Sequence, residues 1–308
     1  MKVIDVHTHG IGGHDTRSGS EKHILEIAET QGFLGVQEIV PTIYPAAIKV
    51  MRQNMAAVRK AMEQQKAPVA CPEAGCAEAR RDPGVRTRKP AKIMGVNIEG
   101  PFLNPSRCGA LDATAFLEPA EYYLGELIEG FEDIVKIITV APEMNGAAGI
   151  IKKIADKGII PCMGHSEATY NEAATGFNAG ARCITHIFNA MRCFHHREPG
   201  IAGFGLLNRE VYIEVIADPY HLHRAVIDLI FKVKDPSRII IVSDLVKESK
   251  VSMHALAVAN SKGVLLGGSM SVRESADRLI EIGFGKNAVM KCVTVNPGRY
   301  LRAYSSQN

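Results

Sequence analysis

The sequence predicts an α/β protein, a (β/α)8 TIM barrel. Short runs rich in β-branched residues recur eight times, and most lead through a loop into a segment of helical period. Strands alternating with helices build a parallel sheet, and eight such units close it into a barrel. A second observation agrees: histidines and carboxylates stand at the carboxyl ends of these runs, the end where barrels of this kind place their chemistry.

The first run is Val3 to Val6 and the second Gly35 to Thr42, followed by a helix from about Ala46 to Gln65 with apolar positions at Ile48, Met51, Met55, Val58 and Met62. Lys92 to Glu99 is the third, and Ile134 to Ala141 the fourth, leading to a helix near Ala147 to Lys157. Gly158 to Met163 precedes a helix from Thr169 to Ala179, and Ala181 to Phe188 is the sixth run. Val211 to Ala217 precedes a helix from Leu222 to Val233, and Arg238 to Ser243 completes the set. Beyond it, two apolar runs around Asn260-Ser261-Lys262-Gly263 read as a hairpin spanning Ala255 to Gly267. Helices from Ser271 to Ile282 and Ala288 to Val295 end the barrel, and Pro72 to Pro90 is a polar, turn-rich surface loop. One catalytic barrel over residues 1–308 is the expected organisation.

Composition narrows the classes of function. With 46% hydrophobic residues the chain carries ample core, and Lys+Arg 36 against Asp+Glu 33, without a basic block, leaves no electrostatic footprint for nucleic acid. The seven cysteines are odd in number and several sit inside apolar runs. Cys71 and Cys76 have no second pair to complete a zinc knuckle. The N-terminus lacks a signal-peptide pattern and no apolar run reaches membrane-spanning length, so the expected setting is cytoplasmic and reduced, without a membrane partner.

The chemistry-bearing residues are His7 and His9 on the first run, Glu99 at the end of the third, and His165 after the fifth. His186 belongs to the sixth, Asp218 and His221 follow the seventh, and Asp244 follows the eighth. Alternate residues of a strand share a face, so His7 and His9 can chelate together. Imidazoles and carboxylates are the donor set for zinc, iron or similar divalent ions. Taken singly, each has a plainer role: Asp244 as a cap, Glu99 as an acceptor for loop amides, a strand-end histidine as hydrogen-bonded structure. Their coincidence at the ends of different strands carries the inference.

At these residues the chain resembles the amidohydrolase superfamily, and within it the N-acetylglucosamine-6-phosphate deacetylase family. The matching stretches include Asp5-Val-His-Thr-His-Gly10, Ile98-Glu-Gly-Pro-Phe-Leu-Asn-Pro105, Gly164-His-Ser166, Thr185-His-Ile-Phe-Asn-Ala-Met191, His195-His-Arg-Glu-Pro-Gly200, Ala217-Asp-Pro-Tyr-His221 and Ser243-Asp244. They run in the family's order over nearly the whole chain.

The resemblance implies removal of an N-acetyl group from an amino-sugar phosphate by metal-activated water. It implies ligation by Glu99, His165 and His186, with His7 and His9 matching a pair that some members replace. It therefore allows one or two divalent ions, zinc first, with iron, manganese, cobalt or nickel as alternatives. Asp244 matches the catalytic aspartate and completes the metal set, and His221 matches the histidine that polarises the substrate carbonyl. Asn189, Ala190, His196 and Arg197 match sugar-phosphate contacts, and a homodimer would fit a family in which a neighbouring subunit helps complete the phosphate site.

Three features depart from the family. The small β-sandwich flanking the barrel is not expected here. Leu111 stands where the family has a sugar-contacting histidine, and Pro219 stiffens the loop before His221. These differences leave two further readings open: the same hydrolytic chemistry on another N-acyl compound, cyclic amide or lactone, and a non-catalytic sugar-phosphate binding protein.

Overall fold

The computed structural model describes residues 1–67, 89–250 and 256–305. In chain order the elements are β1 (Ile4–Thr8), β2 (Gly10–Ile11), β3 (His14–Asp15), α1 (Glu21–Phe33), β4 (Glu38–Ile43), α2 (Ile48–Lys66), β5 (Lys92–Ile93) and β6 (Val96–Glu99). There follow α3 (Glu121–Ile128), β7 (Val135–Val140), α4 (Ala147–Asp156), β8 (Ile160–Met163), α5 (Tyr170–Ala179), β9 (Cys183–Ile184), α6 (Gly200–Leu207) and β10 (Tyr212–Ile216). The last are α7 (Arg224–Val233), β11 (Ile239–Val242), β12 (Val258–Ala259), β13 (Leu265–Gly267), α8 (Val272–Glu281), α9 (Lys286–Val293) and α10 (Val295–Ser305).

The barrel wall runs β1-β4-β6-β7-β8-β9-β10-β11, every pairing parallel. The seam between β11 and β1 is closed by individual bonds. Asp244 N–H donates to His7 O at 2.9 Å, and the Ser243 hydroxyl donates to the buried Asp5 carboxylate. Burial pushes Asp5 up to about 6, although its hydrogen bonds to Ser243 and His7 favour the charged form. One apolar cluster packs the helices on the wall. A smaller cluster, including Ile4, Ile137, Cys162, Cys183 and Ile240, is drawn from barrel strands and joined by Tyr300 of α10. Among the described residues there is no β-sandwich; the sheets outside the wall are the β2–β3 and β12–β13 pairs.

The expected strands are present, with two corrections. The third run is split into β5 and β6 because Gly95, at φ 146°, adopts a backbone that L side chains rarely take, and a Cβ there would meet Ile134 O at 2.4 Å. The sixth is cut to Cys183–Ile184. From Thr185 the chain turns out of the wall, with φ 28° at His186 and φ 74° at Phe188, so His186 stands beyond the strand.

Four helices were not expected from the sequence. In α1 the buried face Ile24-Ile27-Ala28-Gln31 has the right spacing but ends in a polar residue. Helix α3 is only 8 residues long, α6 is apolar all round and so shows no period, and α10 carries Pro297 in its first turn. Capping boxes at Thr169–Glu172 and Ser271–Glu274 start α5 and α8 where the sequence places them. The expected hairpin is β12–β13, of which Ala255 lies outside the described residues. Cys71, Cys76 and most of the Pro72–Pro90 loop also lie outside them.

Candidate metal centre and cleft

Glu99, the buried last residue of β6, is the hub of the cluster. His165 Nε2 lies 3.1 Å and His186 Nε2 2.9 Å from its Oε1, and His9 Nε2 lies 3.1 Å from its Oε2. His7 Nε2 stands 3.6 Å from Oε1 and 3.3 Å from His9 Nε2. Asp244 Oδ1 is 3.5 Å from both of those nitrogens. The donors form two groups that share Glu99, one with His7 and His9, the other with His165 and His186. The six residues named as metal ligands from the sequence thus converge.

The outward nitrogens explain the orientation of the rings. His7 Nδ1 donates to Glu214 Oε2 at 3.1 Å, His9 Nδ1 to Thr42 O at 3.1 Å, and His165 Nδ1 to Arg107 O at 2.9 Å. A ring whose Nδ1–H is held from outside turns the lone pair of Nε2 inward, the usual setting of a ligating histidine. Two ligands each 2.0–2.1 Å from a tetrahedral ion lie roughly 3.3 Å apart, the separation of His7 and His9 Nε2. The donor set therefore fits a divalent cation.

The electrostatics agree. Burial favours protonation of Glu99, but His7, His165 and His186 outweigh it and hold the carboxylate well below its usual range. Burial opposes a charge on His7, yet Glu99, Glu214 and Asp244 push its imidazole up to about 10. His186 is raised against burial by Glu99 and Asp244. Buried carboxylates gathered this closely need a cation among them.

Three of these residues occupy left-handed backbone: His165 at φ 47°, His186 at φ 28° and Asp244 at φ 49°. Ala190, at φ 50°, joins them on the same rim. Such conformations cost about 1–3 kcal/mol each and persist where surrounding structure enforces them. At Asp244 the enforcement is visible. Asp244 O accepts the Gly268 amide at 2.7 Å, and a Cβ on Gly268 would come within 1.8 Å of Ser243 O.

A cleft opens over the cluster, walled by His9, Glu99, His165, His186, His221 and Asp244, with Asn189 and Ala190 at one side. Leu111, Tyr44 and the hairpin residues Val264, Leu265 and Leu266 supply an apolar wall. His221 is held by Asp218, whose Oδ2 accepts Nδ1–H at 3.0 Å and whose Oδ1 accepts the His221 amide at 2.9 Å. Ser269 N–H and Oγ–H both donate to Asp218 Oδ2 at 3.0 Å. Burial raises the Asp218 carboxyl, but the His221 ring and the backbone amides of His221 and Tyr220 hold it well below its ordinary value. His196 and Arg197 are not on the cleft wall. They lie on an exposed loop, where Arg197 Nη1 contacts His196 Nε2 at 3.2 Å. Glu198 does not pair with Arg197; it accepts the amides of Tyr170 and Gly200.

Glu143 ties two rim loops together by accepting from Asn104 Nδ2, Ser166 Oγ and the Glu167 amide. Residues the sequence reading passed over include Tyr44, stacked on His9 with ring centroids 3.8 Å apart, and Glu214 behind His7. Glu214 had a readable signal, a carboxylate in the middle of the apolar run Val211–Ala217. Tyr44 had none.

No family model matches the chain. It is 27% identical over 311 residues to an N-acetylgalactosamine-6-phosphate deacetylase of Escherichia coli O157:H7, covering 97% of this chain and 76% of that protein. It is 29% identical over 282 residues to an N-acetylglucosamine-6-phosphate deacetylase of Vibrio furnissii, covering 88% of this chain and 65% of the relative. The chain thus spans 65% to 76% of the length of these relatives. Its fold matches the crystal structure of the N-acetylglucosamine-6-phosphate deacetylase of Pasteurella multocida with a TM-score of 0.82 at 23% identity, covering 99% of this chain and 77% of the other. No helix among the described residues is long and apolar enough to cross a membrane.

Proposed function

We propose that the chain, similar along most of its length to amino-sugar phosphate deacetylases, is a metal-dependent hydrolase of the amidohydrolase superfamily that removes the N-acetyl group from an amino-sugar phosphate. The observation that carries this reading is the convergence of four inward-facing imidazoles, Glu99 and Asp244 beneath an open cleft. Glu99, His165 and His186 would hold one divalent ion, and His7 and His9 with Glu99 a second. Zinc suits this donor set first, with iron, manganese, cobalt and nickel as alternatives. When bound, such an ion supplies Lewis acidity, which acidifies a water and polarises a carbonyl.

The protein's own groups do the rest. Asp244 faces the cluster and the cleft together, placed to take a proton from the attacking water and return it to the departing amine. His221 is fixed by Asp218. In its doubly protonated form it donates one N–H to Asp218 and the other into the cleft, where charge develops on the carbonyl oxygen. Asn189 and Ala190 would meet the sugar phosphate. Arg197 and His196 would bind the phosphate from the exposed loop, through the forked guanidinium that matches that anion.

The apolar wall of Leu111, Val264, Leu265 and Leu266 favours a second reading, the same hydrolysis on a different N-acyl, cyclic amide or lactone substrate. Acetate release from N-acetylglucosamine-6-phosphate and N-acetylgalactosamine-6-phosphate, assayed beside simple N-acyl compounds and lactones, separates the two. Metal-dependent acetate release from either sugar phosphate supports the first. Turnover only of another amide or lactone replaces it with the second. Metal-independent binding without turnover would make the protein a binder.

A further inference from the structure

The proposed hydrolysis leaves one buried carboxylate without a task. Glu214 lies on β10 with no solvent exposure. Its Oε2 accepts Nδ1–H of His7 at 3.1 Å and the backbone amide of His186 at 3.4 Å, while Oε1 has no hydrogen-bond partner. Toward the barrel interior its carboxylate lies within 4.8 Å of the buried thiols of Cys162 and Cys183. A carboxylate in such surroundings is a cost to folding, and an apolar side chain of similar size would fill the space more cheaply. Packing alone therefore does not account for Glu214.

Its contact with His7 does. His9 and His165 rest their outward nitrogens on backbone carbonyls, which the fold supplies whatever the side chain. His186 Nδ1 has no partner. His7 alone among the four leans on a side chain, and that side chain reaches it from β10, next but one to β1 around the barrel wall and 207 residues along the chain. A carboxylate behind a ligating imidazole fixes its tautomer and ring angle and strengthens it as a donor.

We propose that Glu214 is a positioning residue for His7, and that through His7 it sets the affinity of the His7–His9–Glu99 half of the centre for a divalent cation. This rests on the metal-hydrolase reading above. It is tested by zinc and cobalt(II) titration of Glu214→Gln and Glu214→Leu. Stoichiometry is read by elemental analysis, affinity by chelator competition, and thermal unfolding is followed on the metal-free protein. The Gln variant keeps a polar acceptor beside His7 Nδ1–H and the Leu variant removes it, so a folding failure in one variant does not remove the test.

The expected result is an affinity for the His7–His9 half lowered about 10–100-fold, measured where each metal-free variant is still folded. In a His7→Ala background, Glu214→Gln should cost nothing further, because the residue acts through that ring. Unchanged zinc and cobalt affinity in the single variants, or an additive loss in the double variant, overturns the assignment. If the unsubstituted protein binds neither metal, the hydrolase reading fails first and this one with it. If it binds metal but ignores Glu214, only this one fails.

Discussion

The two ends of the barrel use the same eight wall strands for opposite purposes. At the carboxyl end, five non-glycine residues (His165, His186, Phe188, Ala190 and Asp244) take positive φ, and carboxylates crowd buried imidazoles. At the amino end, α10 closes the barrel with a fully buried Tyr300, whose hydroxyl meets Cys162 Sγ at 2.8 Å and whose ring packs on Tyr212. Asn296 Nδ2 donates to the carbonyls of Pro236 and Ile239 at 2.7 Å each, and Lys234 Nζ donates to the carbonyls of Gly205 and Asn208. Strain and unbalanced charge are concentrated where chemistry needs them. The opposite end is packed and largely satisfied, so it can sustain that strain.

Substitutions at the two ends should separate activity from stability. The largest effect is expected at Asp244→Asn, which keeps the shape of the rim but removes the proton acceptor. Turnover should fall by about 10²–10⁴-fold with metal content retained, read from steady-state kinetics beside elemental analysis. Tyr300→Ala is the mirror experiment. It should cost about 3–5 kcal/mol in urea unfolding while kcat/KM per folded molecule stays unchanged. A drop in kcat/KM there would show that the ends are coupled.

Asp218→Asn sharpens the comparison from within the rim, since it loosens His221 without touching the ligand cluster. Turnover should fall by about 10²-fold, with metal affinity unaltered.

The smallest effect concerns pH. Burial lowers Lys234 to about 8, below its value in the unfolded chain, so the folded state binds fewer protons between that pH and the ordinary lysine range. The contribution of Lys234 should therefore rise as pH increases through this window and be lost as pH falls below it. Lys234→Met should flatten that part of the stability profile, measured by chemical unfolding across the alkaline range.

Legibility differed by element for physical reasons. The strand with His7 and His9 could be read because period-two alternation sets both rings on one face. Helices α5 and α8 could be read because their capping boxes are local in sequence. Helix α6 could not, since a helix buried on all sides has no polar stripe to mark its turns. Glu99, His165 and His186 could be listed as candidates from their positions at the ends of apolar runs. The cleft positions of Leu111 and Leu265, and the absence of His196 and Arg197 from that wall, depend on how separate loops pack.

What the sequence determined by itself was local: the alternation of strands and helices, and which ionisable side chains fall at strand ends. Those follow from hydrophobic period and turn chemistry within a few residues. Tertiary structure alone decided that Glu99 meets four imidazoles, that Glu214 backs His7, and that Asp218 grips His221 together with Ser269. These are contacts between distant segments, fixed by barrel closure and strand register, and no short stretch of sequence encodes them.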